Sequence, residues 1–392
     1  MIYDKAFFDK PLERHGTACE KWDAMEERIG PGLNPMWVAD MDFECPAEIT
    51  EALVKRAMHP AYGYTNQTQS ATQAMLDFMK RRHNLDLKAE EHFLMPCVVT
   101  GLRAAVAAFT QPGDSIILIT PLYGPFFAAV KDAGRAALEC PMHYAANGRY
   151  TIDFEAVENA CRAGAKLLLF CNPHNPVGRA WDREEITRVY EMMKRYDIPM
   201  VVDEIHEDYV FDRKAFTPVL SVSTDPSDKV MALTSITKTF NLAGLKQAVA
   251  FCRNEEMRKA VDHVINLGGV VRTNIFGMTA FEAAYTYGDA WLDGVLEYVK
   301  EGEQILREEL AARLPEAIVT PLEATYLAWV NLRAYGLSDE ELLSRCRAAG
   351  VEFTPGVAFG ATEGSGFMRV NLACPHERVR LAAQQLEKAI KG

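Results

Sequence analysis

At 392 residues the chain exceeds one typical domain, and a protein of this size buries roughly three quarters of the surface its unfolded chain exposes, so two domains sharing a hinge are expected. Hydrophobic residues make up 49% and charged residues 24%, the profile of a globular enzyme and not of a disordered or fibrous chain. With 42 basic against 54 acidic residues the net charge is −12, which opposes nonspecific attraction to nucleic acid or anionic lipid and leaves only local basic pockets for a phosphate.

Residues 1–10 mix Asp4, Lys5, Asp9 and Lys10 with aromatics and contain no apolar core of the kind a signal peptide needs, so secretion is not expected. No uncharged apolar run reaches the length of a transmembrane helix. The nine cysteines are scattered singly without a CxxC pair, which points to thiols in a reducing cytoplasm and not to a disulfide frame or zinc site. Residues 4–34 are polar and broken by Gly16, Gly30, Pro31 and Gly32, as in an arm. Trp37-Val38-Ala39-Asp40-Met41-Asp42-Phe43 then alternates apolar and acidic residues and reads as a short strand or turn with solvated acids; a loop offering backbone N–H groups to a substrate is the competing reading. Residues 46–57 have helical spacing opened by a proline. An aromatic turn, Tyr62-Gly63-Tyr64-Thr65, precedes an amphipathic helix over 70–82, with Ala74, Met75, Phe78 and Met79 facing inward. At 98–102 a short apolar segment ends in Gly101, and an Ala-rich helix is expected over 102–110; the Thr100-Gly101 step would offer free N–H groups and a favourable dipole to a phosphate, or serve as a plain cap.

Strand-length aliphatic runs follow at 115–120, 166–171, 199–202, 230–233 and 248–252, separated by helical patterns, clearest over 183–195. That alternation predicts an α/β fold, a mostly parallel sheet covered by helices on both faces, with ligands beyond the carboxyl ends of the strands. Longer charged helices then appear, notably over 291–314. A second α+β portion takes in 325–332, 339–349, 368–371 and a closing helix over 377–390.

The candidate chemical residues fall at strand ends. Lys238 lies among small and hydroxylated neighbours just past one strand. Asp203 ends another, where a buried acid costs solvation unless a positive charge meets it, and a pyridinium nitrogen would be such a partner. Asn172-Pro173-His174-Asn175-Pro176-Val177-Gly178 carries two Asn-Pro pairs in one turn; Asn175 is expected on a cofactor's phenolic oxygen and the Asn175–Pro176 bond is expected to be cis. With a late Arg369, these describe an aldehyde cofactor held as a Schiff base. Other motifs are absent: Val210 stands where an HExxH site needs its second histidine, and no P-loop, GxGxxG or nucleophile elbow occurs.

The chain resembles pyridoxal-phosphate enzymes of fold type I, the aspartate-aminotransferase superfamily, and more narrowly the MalY/PatB-type cystathionine β-lyases. The resemblance rests on 37–43, 62–65, 172–178, Asp203-Glu204-Ile205-His206, 237–245 and Arg369-Val370-Asn371-Leu372-Ala373-Cys374-Pro375. It implies an N-terminal arm and part of a small domain over 1–44, a large cofactor-binding domain over 45–285 and a small domain over 286–392. It further implies pyridoxal 5'-phosphate held by Lys238, with Asp203 on the pyridine nitrogen, Tyr123 stacked on the ring and His206 near the phenolic oxygen. The phosphate would meet N–H groups at Gly101 and Leu102, the Ser235 hydroxyl and Tyr64 from the neighbouring subunit of a homodimer. Arg369 would grip the substrate carboxylate with Asn175 and the backbone of Ala39. Two departures stand out: Thr237 occupies the usual serine position before the lysine, and Lys246 stands where transaminases carry a phosphate-binding arginine.

The expected reaction on an amino-acid substrate is carbon–sulfur β-elimination, from cystathionine or another cysteine thioether. Transamination to a 2-oxo acid is the alternative, and a regulatory protein that keeps the fold and binds a transcription factor is a third.

Overall fold

The computed structural model describes residues 2–211, 216–270 and 274–392. Central strands too apolar to face water on either side gather, with two edge strands, into a seven-stranded sheet. Its order is His92–Met95, Ala248–Phe251, Val230–Ser235, Met200–Asp203, Leu167–Cys171, Ser115–Thr120 and Ala136–Pro141. Ala248–Phe251 pairs antiparallel with both neighbours, and the remaining pairs are parallel. Because side chains alternate across a strand, the sheet has two cores: Ile117, Leu168, Val202 and Ala232 face one, and Ile116, Leu169, Val201 and Leu233 face the other. The five expected runs all appear. His92–Met95 and Ala136–Pro141 were not foreseen, since the first is short and the second, an edge strand with Glu139 and partial exposure, has no continuous apolar run.

The helices follow their periodicities. Gln69–His83 buries Ala71, Met75, Phe78 and Met79. Arg183–Arg195 opens on a capping box in which Asp182 accepts from Glu185 N–H and the Glu185 carboxylate reaches back to Asp182 N–H. One start differs: the helix expected from 102 runs over Val98–Phe109. Val98 and Val99 are β-branched and read as the end of a strand, but Val98 packs into the second core, and that burial overrides their local preference.

A second, antiparallel sheet is formed by Ile318–Val319, Leu327–Asn331, Phe367–Asn371 and Thr354–Pro355. The helix His376–Lys391 packs on Asp289–Arg313 and on Asp339–Ala348. The N-terminal stretch is packed in, not loose: Asn34–Pro35 pairs parallel with Val351–Glu352, and Phe8 is fully buried against Phe43, Trp291 and Tyr298.

The 37–43 segment corrects the expectation of solvated acids. Asp42 is buried and accepts from Lys21 Nζ at 2.9 Å and from Trp22 Nε1 at 3.0 Å, while Asp40 accepts from Arg14 at 2.9 Å. The segment is a strap, and its carbonyls are tied to both sheets' functional ends. Trp37 O accepts from Arg369, Val38 O from Asn371, Ala39 O from Lys238, and Asp40 O from Lys21 and Asn371.

Candidate active site

The strand Val230–Ser235 passes directly into a four-residue helix, Ile236–Thr239, that carries Lys238. Ser235 caps this helix: its hydroxyl donates to Gln247 O at 2.7 Å and accepts from Thr237 N–H at 3.1 Å. Lys238 Nζ donates to Ala39 O at 2.6 Å. Burial pulls the lysine's pKa down to about 8; Asp40 opposes this, while Arg369 and Lys246 add to it.

Asp203 ends its strand, as expected, and one oxygen accepts from Ile205 N–H at 3.0 Å. Among the described residues no basic side chain bonds it, and burial raises its pKa to about 7, against the Ile205 N–H and the charge of Lys238. Arg369 presents the opposite problem. It is a cation, 4% exposed, that donates to Asn175 Oδ1 at 3.1 Å and Trp37 O at 3.0 Å, with Phe359 beneath its guanidinium at 4.8 Å. Among the described residues its Nε has no partner and no carboxylate bonds it, and burial lowers its pKa to about 10.

Asn175 is held by its turn, whose Asn175–Pro176 bond is cis as expected; Asn172–Pro173 and Thr120–Pro121 are cis as well. His206 is buried edge-on to Tyr326, with an unpartnered Nδ1; burial and the charges of Lys238 and Arg369 bring its pKa down to about 3, so the ring is neutral. Tyr123 leads into the helix Gly124–Asp132. A cavity of about 1330 Å³ joins Lys238, Asp203, Asn175, His206, Tyr123, Lys246, Ala39 and Arg369.

Four expected residues lie elsewhere. Gly101 and Leu102 are inside the helix Val98–Phe109, where α-helical geometry directs their N–H groups to the carbonyls one turn back, so they cannot serve an anion. Gly101 answers a packing need instead: a Cβ there would meet Met95 Sδ at 2.7 Å and Leu233 Cδ1 at 3.0 Å. The free N–H groups at this helix end belong to Val98 and Val99, which line the cavity beside Cys97. Ser235 is buried with its hydroxyl engaged, and it is Thr237 that reaches the cavity wall. Tyr64 is fully exposed and does not line the cavity of its own chain.

The arrangement has a consistent chemistry. One end offers helix N–H groups and Lys246 to a dianion, the floor offers a buried acid that no described cation bonds, and the far side offers a buried arginine that no described carboxylate bonds. A flat anionic cofactor with a protonated ring nitrogen fits the first two, and an amino acid's carboxylate fits the third.

A mostly parallel sheet with a lysine, an acid and an asparagine at its carboxyl edge, facing an arginine from a second sheet, is the architecture of enzymes that work on amino acids through an aldehyde cofactor. The chain belongs to the class I and II aminotransferase family, whose model matches residues 37–386. It is 37% identical to the cystathionine beta-lyase PatB of Bacillus subtilis (strain 168), over 98% of this chain and 99% of that one. It is 28% identical to protein MalY of Escherichia coli (strain K12), over 98% and 99% of the two chains. Among solved structures, cystalysin from Treponema denticola, which contains a pyridoxal 5'-phosphate cofactor, matches with a TM-score of 0.95 at 32% identity over 100% and 99% of the chains. The PLP-bound C-S lyase from Staphylococcus hominis matches at 0.91 and 29%, over 98% of each.

Proposed function

We propose that the protein is a pyridoxal-phosphate-dependent carbon–sulfur β-lyase that cleaves cystathionine or a related cysteine thioether to a thiol, pyruvate and ammonia. The observation that carries the reading is Arg369, a buried cation that no described carboxylate bonds, opening onto the same cavity as a buried amine, Lys238. The lyase names of the relatives support the reaction class. When bound, pyridoxal phosphate would supply an aldehyde for the substrate nitrogen and a ring that withdraws electrons from the α-carbon. Lys238 would hold the aldehyde, Asp203 the protonated ring nitrogen, Asn175 and the neutral His206 the phenolic edge, and Tyr123 the ring face. Val98 and Val99 N–H, Thr237 and Lys246 would hold the phosphate.

Arg369 binds the substrate carboxylate through a bidentate pair and so fixes the α-carbon in front of Lys238. Lys238, its nitrogen oriented by Ala39 O, takes the α-proton; a pKa near 8 keeps a useful fraction neutral close to physiological pH. The carbon–sulfur bond then breaks with its electron pair leaving on sulfur, and Lys238 returns the proton to that sulfur. The 2-aminoacrylate left behind reacts with one water to give pyruvate and ammonia.

The enzyme works as a homodimer in this reading, with Tyr64 of a second copy completing the phosphate end. Support comes from the exposed Val54, Met58, Tyr62 and Tyr64 clustered on one stretch. A reducing cytoplasm suits the nine free cysteines; among the described residues no helix is long and apolar enough to cross a membrane.

The deciding assay supplies cystathionine without any keto acid. Sustained pyruvate and thiol release supports the lyase, whereas turnover only with a keto-acid acceptor refutes it in favour of transamination. The visible absorption of the holoenzyme, lost in Lys238→Ala, tests the lysine separately.

A further inference from the structure

The turn that carries Lys238 is held from its rear by groups that the chemistry above does not use. Thr234, at the end of the preceding strand, donates to Glu207 Oε1 at 2.5 Å. Thr239, the residue after Lys238, donates to Asp208 Oδ2 at 2.7 Å, and its carbonyl accepts from Tyr209 OH at 2.9 Å. Three consecutive residues, 207–209, therefore grip both ends of the segment 234–239. His83 closes the knot, with Nε2 2.8 Å from Asp208 Oδ1. Its donor atom and one oxygen from each carboxylate lie within 4.8 Å of one another.

The knot is dry. Glu207 is 2% exposed, Asp208 7%, and the His83 imidazole 5%. His83 is the last residue of Gln69–His83, where the helix dipole favours a cation. Burial works against its proton, but Glu207 and the bond to Asp208 prevail and raise its pKa. Both Asp208 oxygens are occupied, one by His83 and one by Thr239, whereas Glu207 Oε2 has no hydrogen-bond partner among the described residues and burial raises the Glu207 pKa to about 8.

The need for such a device is physical. Ile236–Thr239 is a single turn of four residues, and a helix that short has no stability of its own. A flexible lysine side chain delivers its nitrogen accurately only if the backbone beneath it is fixed. We propose that His83, Glu207 and Asp208 are positioning residues for Lys238, acting through the hydroxyls of Thr234 and Thr239 without touching cofactor or substrate. The proposal rests on Lys238 being the reactive amine.

The test is Thr239→Val, which is nearly isosteric and removes only the hydroxyl that Asp208 holds. The expected result is a loss of kcat on the order of ten- to a hundredfold. KM should stay within about twofold, because Arg369 stands on another strand. Thr239→Ser should restore kcat. Asp208→Asn should lower kcat similarly, and the double variant should be no worse than the poorer single, as expected of two groups acting as one unit. A second readout needs no cofactor. Acylation of Lys238 in the full chain freed of pyridoxal phosphate, followed by mass spectrometry against pH, should change in rate and midpoint in Thr239→Val and recover in Thr239→Ser. Unchanged kcat and unchanged Lys238 labelling in Thr239→Val would overturn the proposal, as would losses that simply add in the double variant. If the absorption test on Lys238→Ala failed instead, the lysine assignment would fall, while the labelling comparison would still report on the knot.

Discussion

Replacing Arg369 by leucine separates binding chemistry from folding. In the wild type the guanidinium is buried, bonded to neutral acceptors, and opens onto a cavity in which no described carboxylate bonds it. Its pKa, lowered to about 10, still leaves it charged at neutral pH. Two hydrogen bonds to a substrate carboxylate at roughly 1.5–3 kcal/mol each amount to about 3–6 kcal/mol, or a loss of roughly 10²–10⁴ in kcat/KM. Stability should move little or rise. The substitution removes an uncompensated buried charge, and Trp37 O keeps its bond from Thr354 Oγ1 at 2.9 Å. The assay is steady-state thiol release from cystathionine alongside a thermal melt of the same preparation. A loss below about fivefold with an intact fold would refute Arg369 as the carboxylate anchor, and a collapsed fold would show that the arginine serves structure first.

Asp203→Asn should abolish most activity, on the order of 10²–10³, by removing the carboxylate at the ring end. In the cofactor-free protein it should stabilise above pH 7. The native pKa is raised from 3.8 to about 7, so the associated stability is present at acid pH and lost as pH rises through 7, a difference of roughly 4 kcal/mol; equal melting temperatures at pH 8 would contradict this. Val98→Pro removes one N–H at the first helical position, where proline is tolerated after the extended Cys97. The melting temperature should hold while pyridoxal phosphate binds about tenfold more weakly by spectral titration, as for one charge-assisted hydrogen bond; unaltered affinity would move the phosphate away from this helix end.

Much of the fold was legible because its signals are local. The apolar runs of the central strands, the 3.6-residue stripe of Arg183–Arg195 and the Asn-Pro turns each reflect forces acting within a few residues. The error at residues 98–102 has the same origin in reverse: two valines favour a strand locally, and only their place over the sheet makes them the first turn of a helix. The edge strand Ala136–Pro141 was invisible because partial exposure breaks its pattern. Nothing local marks Asp42 as buried, since its partners Lys21, Trp22 and Arg378 come from the arm and the last helix.

By itself the sequence determined an α/β chain with chemical residues at the carboxyl ends of its strands, and its family resemblance named Lys238, Asp203, Asn175 and Arg369 together. Only the tertiary structure decided what each of them faces. Ala39 O meets Lys238 across 199 residues, Arg369 meets Asn175 across 194, and the His83 knot reaches Thr239 through Asp208. Contacts at such separations leave no period or spacing in the chain, because they arise from packing two sheets and a strap against one another. The burial that shifts Lys238 towards neutrality and leaves Arg369 in want of an anion is a property of that packing alone.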